Sequence, residues 1–396
     1  MKPIFSSVGS NYSRSLMRHA LLPGGRNDRR ALLTYLEKRY NAQDVQLSYK
    51  GREAIALGLA QLNLPVGSFV AVNGYTCYAV FQAVTAVGCL PYYLDPAKDS
   101  LNFDAEGLEQ ALKAEPKIAA IMIQNTMGIP CDIEAIAKVC NAHKLPLVED
   151  LAHSLGMMYS NGQEAGTVGD WAALSFAQYK VIDAVSGGAL VSQTKLDITD
   201  KPQLTTLRRR LVDPLFPFIT GVIRRTYRLG LGRYIQKLMT SLRLMPKPIE
   251  GSAKPWHTLT NWHARLTVKA LSELETNLAH RQEIAARYRQ ELPASVQLPH
   301  LDGSIYVRWP MLVDDPKSLV DHLAKAGIYV SDIWYDAPVS PIRLLHETNY
   351  QTGMCPRAEE LSQHMINLPT HIRIDDTAAT RIIKEVNTWL KSRPKL

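Results

Sequence analysis

Two short stretches bring together residues whose types and spacing could do chemistry. In VEDLAHSLG an apolar run closes at Asp150, and His153 follows three residues later; in SFAQYKVIDAVSGGALV a second run closes at Ser175 and Phe176 and presents Lys180. Ligands of open α/β sheets bind outside the carboxyl ends of the strands, where both stretches would lie. A lysine there can form a Schiff base with a carbonyl, provided its surroundings support the neutral amine. A carboxylate at the end of a buried strand can hold a pyridine nitrogen protonated, which turns the ring into an electron sink. Lysine plus aspartate is the minimum protein kit for pyridoxal 5′-phosphate chemistry. Ser175 and the backbone after it could meet the phosphate, as could KGREA at 50–54, whose N–H groups would head a helix. Taken singly, these residues have plainer uses. Strand-end aspartates cap helices, lone lysines are solvated surface charges, His153 can pack, and Gly187-Gly188 can simply turn. The pair Asp150 and Lys180 carries the chemical reading.

The elements that must position this pair alternate along the chain. Strand-like runs are FVAVNGY (69–75), LPYYLD (90–95), IAAIMIQ (118–124), LPLVED (145–150), WAALSF (171–176) and GALVSQ (188–193). Several are apolar almost throughout, as expected of strands covered on both faces. Between them, Arg52–Leu62, Tyr78–Val87, Glu106–Ala114 and Ile133–His143 read as helices, the last with Asp132 as its N-cap. The expectation is an α/β sheet sandwiched between helices. A basic, proline-bearing stretch at 201–255 interrupts the rhythm. Beyond it come a long helical run over Leu259–Leu292, strand-like SIYVRWPMLV (304–313), helix-like SLVDHLAKAG (318–327), strand-like IYVSDIW and a last helix around Thr377–Lys391. The division expected is a large α/β domain over 1–255, with an insertion at 201–248, and a smaller α+β domain over 256–396.

Composition bounds the reading. With 396 residues, 46% hydrophobic and 21% charged, the chain matches a globular protein of two or three domains, not a disordered tail or a fibre. No run approaches the ~18 apolar residues of a membrane-spanning helix. The opening MKPIFSSVGSNYSRS lacks the apolar stretch of a secretory signal. Cys77, Cys89, Cys131, Cys140 and Cys355 are an odd set without metal-ligand spacing, so a reducing, cytoplasmic setting is expected, with no disulfide framework and no structural metal. The net charge of +8 is local: 201–248 holds eleven lysines and arginines against Asp213 alone, and the remainder of the chain is slightly acidic. In that segment Ile219, Val222, Ile223, Ile235, Leu238 and Leu242 recur at helical spacing beside Arg224, Arg225, Arg228 and Lys237. Peripheral contact with an anionic membrane is one expectation for it, packing on the body or on a partner subunit another. No recognised module or aromatic platform points to nucleic acid.

VEDLAHSLG, GTVGDWAALSF and the lysine five residues after Ser175 resemble the sugar aminotransferases often called the DegT/DnrJ/StrS group. The similarity extends through LEKRYNAQDVQLSYKGREAIALGL, GYTCYAV, AVGCLPYYLD, QNTMGIPCDIEAIAKVCNAHKLPLVED, RQEIAARY, GMCPRAEELSQ and INLPTH. It implies the aspartate aminotransferase-like fold (fold type I): a large domain with a mixed, mostly parallel sheet, and a smaller C-terminal α+β domain. It also implies pyridoxal 5′-phosphate as cofactor and a homodimer with active sites between subunits. Carried over, Lys180 would bind the cofactor's aldehyde and shuttle protons, Asp150 would pair with the ring nitrogen, and His153 would lie by the ring's phenolic oxygen or face. Ser175 and the backbone of Gly51 and Arg52 would hold the phosphate. The stacking aromatic of the family corresponds to Cys77 here, leaving Tyr75 or Tyr78 as substitutes.

The chain departs from the family pattern in three places. Val185-Ser186-Gly187-Gly188 stands for Gly-Glu-Gly-Gly. The Asn-Tyr-Arg element that reaches the partner's cofactor phosphate is missing, with Trp256-His257 the nearest counterpart, and the basic stretch is longer. The implied reaction is transfer of an amino group from glutamate or glutamine to a nucleotide-linked keto sugar, for surface polysaccharide or glycosylated metabolite synthesis. The alternatives are a dehydratase or lyase using the same cofactor, or a regulator that keeps only the fold. Tyr306, Arg308, Trp309 and Tyr335 are candidate substrate residues, because they precede or end strands of the smaller domain.

Overall fold

The computed structural model describes residues 2–242, 244–245, 249, 251–330 and 334–393. Arg243, Pro246, Lys247 and Pro248 of the basic segment, and positions 331–333 of IYVSDIW, lie outside the described residues. Helices α1 (Arg14–Ala20) and α2 (Arg26–Tyr40) precede a seven-stranded sheet. Its strands are β1 (Asp44–Ser48), β2 (Phe69–Asn73), β3 (Leu90–Leu94), β4 (Ile118–Ile123), β5 (Leu147–Asp150), β6 (Trp171–Ser175) and β7 (Gly188–Ser192). The spatial order is β1-β7-β6-β5-β4-β2-β3. The five strands from β6 to β3 run parallel; at one edge β7 pairs antiparallel with β6 and β1 antiparallel with β7, so the sheet is mixed and mostly parallel. Between strands lie α3 (Gly51–Gln61), α4 (Tyr78–Thr85), α5 (Ala105–Ala114) and α6 (Ile133–His143).

The continuous apolar runs follow from burial on both faces. Ala71, Ile121, Ile123, Leu147, Ala172 and Leu174 face a core shared with α2, α5 and α6. Their neighbours Val70, Val72, Ala120, Met122, Val148 and Ala173 face a second core against α3 and α4. Asp132 caps α6 as expected, its carboxylate accepting from the Ala135 N–H at 3.1 Å. The run expected to continue to Tyr75 stops at Asn73, whose amide donates to the carbonyls of Tyr75 (3.1 Å) and Leu101 (2.7 Å) and so bends the chain. Strand β1 is missing from the sequence reading because QDVQLS alternates polar and apolar residues, as an edge strand does.

Beyond the sheet, α7 (Leu207–Val212), α8 (Phe216–Thr226) and α9 (Leu231–Ser241) carry the basic segment. The long helix expected over Leu259–Leu292 is two, α10 (Asn261–Leu271) and α11 (Leu274–Glu291). At the break the Ser272 hydroxyl donates to the Lys269 carbonyl at 2.7 Å, competing with the helical ladder. The core changes along α11: Leu274 and Leu278 pack toward the large sheet, whereas Ile284 and Tyr288 enter a separate core. That core holds the antiparallel pair β8 (Arg308–Leu312) and β9 (Met365–Pro369) with α12 (Pro316–Lys325), α13 (Pro356–His364) and α14 (Asp376–Lys391). Among the described residues of the strand-like IYVSDIW, Ile328–Tyr329 form a strand that pairs in parallel with Ile4–Phe5.

Helix α3 presses on β6 so closely that a methyl group added at Gly58 would sit 2.6 Å from the Trp171 ring. Gly58→Ala should therefore cost about 1–3 kcal/mol by overpacking, although alanine favours a helix interior. A urea titration showing equal or greater stability would contradict this packing.

Candidate active site

Strands β5 and β6 are parallel neighbours, with Asp150 paired in register with Ala173, so the turns after them open at the same edge. The turn after β5 carries His153, and the loop after β6 carries Lys180. That loop is fixed from three directions. Asp183, buried within it, accepts from the Val185 N–H at 3.0 Å, the Tyr179 N–H at 3.2 Å and the Tyr12 hydroxyl at 2.7 Å. The Asn11 amide donates to the Lys180 carbonyl at 2.8 Å, and the Asn11 oxygen accepts from Arg281 at 2.9 Å. Arg281, on α11, also donates to the Val307 carbonyl (2.8 Å) and the Thr370 hydroxyl (3.2 Å). The lysine backbone is thus tied both to the N-terminal segment and to the second core.

The side chain of Lys180 enters a cavity of about 360 Å³ that Asp150 and His153 also line. Burial holds the Lys180 amine below the ordinary lysine range, partly opposed by Asp150. The same desolvation raises the Asp150 carboxyl to about 6, against the pull of the Ala152 N–H at 2.9 Å and of Lys180. His153 lies 2.9 Å from the Lys180 Nζ through its Nε2, and its Nδ1 accepts from the Met127 N–H at 3.2 Å. An imidazole that accepts at Nδ1 and is kept neutral by burial carries its proton on Nε2. That proton points at Lys180, so the amine accepts it and is neutral too, the form that attacks a carbonyl.

The other end of the cavity is cationic. Gly51 opens α3 against Ser175 and Gly188: an added methyl at Gly51 would lie 2.9 Å from the Ser175 Cβ, and one at Gly188 would lie 2.7 Å from the Gly51 nitrogen. Only bare backbone lets the helix N-terminus approach the end of β6 this closely. Burial and the neighbouring Arg52 and Arg209 push the Lys50 amine down to about 7. The Arg52 guanidinium donates to the Ile249 and Gly251 carbonyls and to the Gln82 side chain. A helix N-terminus beside three cations fits a phosphate group, and a carboxylate and a neutral amine at the other end fit a pyridine aldehyde.

Of the residues singled out from sequence, Gly51, Arg52, Cys77 and Ser175 line this cavity together with Asp150, His153, Lys180 and Tyr335. Arg308 stands just behind its wall, with its guanidinium 4.2 Å from the centre of the Trp334 ring. Three aromatics are placed elsewhere. Tyr78 turns outward to the Glu347 carboxylate, Tyr75 is buried with its hydroxyl 3.1 Å from the Tyr335 carbonyl, and Tyr306 packs on Trp309 in the second core with its hydroxyl 2.7 Å from His300. Trp309 itself is core. Beside Tyr335, Trp334 also faces the site: it stacks on His153 at 5.1 Å and 12°, and the Lys180 Nζ lies 5.0 Å from its centre. Sequence reasoning passed over Trp334, Lys50 and Arg209. The signal for Trp334 was an aromatic pair, Trp334-Tyr335, at the end of an apolar run.

A model of the DegT/DnrJ/EryC1/StrS aminotransferase family matches residues 31–203 and 257–387. The chain belongs to the DegT/DnrJ/EryC1/StrS aminotransferase family. DegT-family aminotransferases depend on pyridoxal phosphate, and this protein is a pyridoxal phosphate-dependent aminotransferase. Among relatives, the GDP-perosamine synthase of Escherichia coli O157:H7 is 23% identical over 356 residues, covering 87% of this chain and 85% of its own. The dTDP-3-amino-3,6-dideoxy-alpha-D-galactopyranose transaminase of Aneurinibacillus thermoaerophilus is also 23% identical, with 86% and 84% covered. In fold, the chain is similar to Helicobacter pylori PseC, an aminotransferase involved in the biosynthesis of pseudoaminic acid (TM-score 0.73, 17% identity, 99% and 100% covered).

The Asp150 carboxyl titrates higher in the fold than the 3.8 of a free aspartate, so its ionisation opposes folding. Asp150→Asn should make the cofactor-free protein more stable than the parent above pH about 6, by up to ~3 kcal/mol, with the gain shrinking as pH falls and gone below pH ~3, where the parent carboxyl is neutral in both states. Urea titrations across this range check it; equal stability of the two proteins at pH 8 would contradict the burial of that charge.

Proposed function

We propose that the protein moves an amino group from glutamate or glutamine to the keto group of a nucleotide-linked sugar, in the synthesis of a surface polysaccharide or a glycosylated metabolite. The observation that supports this most strongly is the convergence of Lys180, Asp150 and the cationic end of α3 on one cavity. The sugar rests on the relatives, whose names place GDP- and dTDP-linked sugars in their reactions.

Bound pyridoxal phosphate supplies an aldehyde for the donor amine and a ring that accepts the electrons released when a proton leaves the adjacent carbon. The protein's part follows from the site. Gly51, Ser175, Lys50 and Arg209 would hold the phosphate, and Asp150 would balance a positive charge on the ring nitrogen. Lys180 Nζ takes and returns the proton, with the Nε2 of His153 keeping the amine neutral and aimed. Trp334 and Tyr335 close the wall and limit water.

General base catalysis by a positioned group is worth ~10²–10⁴-fold, so Lys180→Ala should lose at least that in kcat. Incubated with glutamate alone, the parent should release a stoichiometric amount of 2-oxoglutarate and the variant none. Near-normal release by the variant would overturn the role given to Lys180; failure of the parent with both glutamate and glutamine would overturn the donor.

A further inference from the structure

Between Leu204 and Leu242 the protein exposes large apolar side chains that the fold has no use for. Ten of the eighteen such side chains among the described residues fall in this stretch, about a tenth of the chain. Leu204, Leu207, Leu211 and Leu215 recur along and beside α7, one turn apart and all exposed. Along α9 and at its C-cap, Leu231, Tyr234, Leu238 and Leu242 form a second exposed stripe, and Gly232 is the helix's one buried residue.

The segment is nevertheless firmly seated. Asp213, its single described acid, is buried between the Tyr49 hydroxyl and the Nε2 of His263 (3.1 Å) on α10. Phe216 and Ile223 of α8 are buried, and Arg224 donates to the carbonyls of Val8 and Gly9. The inward face of α8 thus fixes α7 and α9 with their leucines outward. Lys201, Arg208, Arg210, Arg225, Arg228, Arg233 and Lys237 are exposed on the same segment, with no exposed carboxylate among its described residues. The two stretches matched by the family model leave these helices out.

We infer that α7–α9 dock the protein on an anionic membrane surface. The combination of side chains selects this occupant. A second copy meeting the face about a two-fold axis would set seven cations against seven, and the remainder of the chain carries only a slight net acidic excess to set against them. Nucleic acid would answer the arginines and leave the leucines in water. An anionic leaflet takes both, with leucines among the acyl chains and arginines at the headgroups. The attachment is peripheral, since no helix among the described residues is long and apolar enough to cross a membrane. It would also bring the catalytic cavity close to the membrane, because Arg209, on α7 between these leucines, lines the cavity.

Co-sedimentation of the full chain with vesicles of equal parts phosphatidylglycerol and phosphatidylcholine tests the inference, against vesicles of phosphatidylcholine alone. The parent should partition onto the anionic vesicles only. R225Q/R228Q/K237Q should weaken that partition roughly ten- to hundredfold; L229S/L231S/L242S should weaken it comparably, and both variants should keep the parent's sedimentation coefficient. Absence of binding by the parent, equal binding to both vesicles, or insensitivity to either variant would overturn the proposal. So would a change of oligomeric state in the leucine variant, which would make a second copy the occupant, or displacement of the parent from vesicles by duplex DNA.

Discussion

Taking a lysine amine and a carboxylate out of water within one cavity is the constraint on which the rest of this structure depends. Each group resists burial in its charged form, and the result is an amine pushed toward neutrality and a carboxyl raised to about 6. The neighbouring imidazole is neutral for the same reason and contributes direction more than charge. Such an arrangement is poor for stability and good for carbonyl chemistry, the trade expected where residues are arranged for a reaction. The scaffold tolerates it because the parallel strands behind the site are apolar on both faces. The loop that carries Lys180 is also pinned by Asp183, Asn11 and Arg281.

Those pins couple the site to distant parts of the chain. Arg281 is itself buried and held down to about 9, yet it spans from Asn11 to Thr370 and so links the N-terminal segment, α11 and the second core. Trp334 reaches the cavity from the C-terminal half and is flanked by His153, Lys180 and Arg308. The pocket is therefore a product of the whole chain, although Asp150, His153 and Lys180 all stand at or just after the ends of β5 and β6.

This division explains what was legible in the sequence. The five parallel strands could be read because burial on both faces forces near-continuous apolar runs, and Asp150, Ser175 and Lys180 could be placed because they stand where those runs stop. Gly51 was readable as the head of a helix, although not the reason it must be glycine, which lies in Ser175 across the sheet edge. Side-chain direction was not legible. Tyr78 and Tyr306 sit beside the expected landmarks and turn to Glu347 and His300 instead, while Trp334 and Lys50 turn inward. The break at Ser272 was hidden because the apolar period continues through it, and Asp213 looked like a stray acid in a basic run until its partners Tyr49 and His263 were in view.

Two lysines line the same cavity with amines depressed by burial, Lys180 beside Asp150 and His153, and Lys50, at about 7, beside Arg52 and Arg209. Borohydride reduction of the holoenzyme, followed by mass spectrometry of its peptides, distinguishes a covalent role from a phosphate-holding one. The cofactor's mass should appear on the peptide containing Lys180 and on no other. Finding it on Lys50, or on no lysine at all, would contradict the site described above.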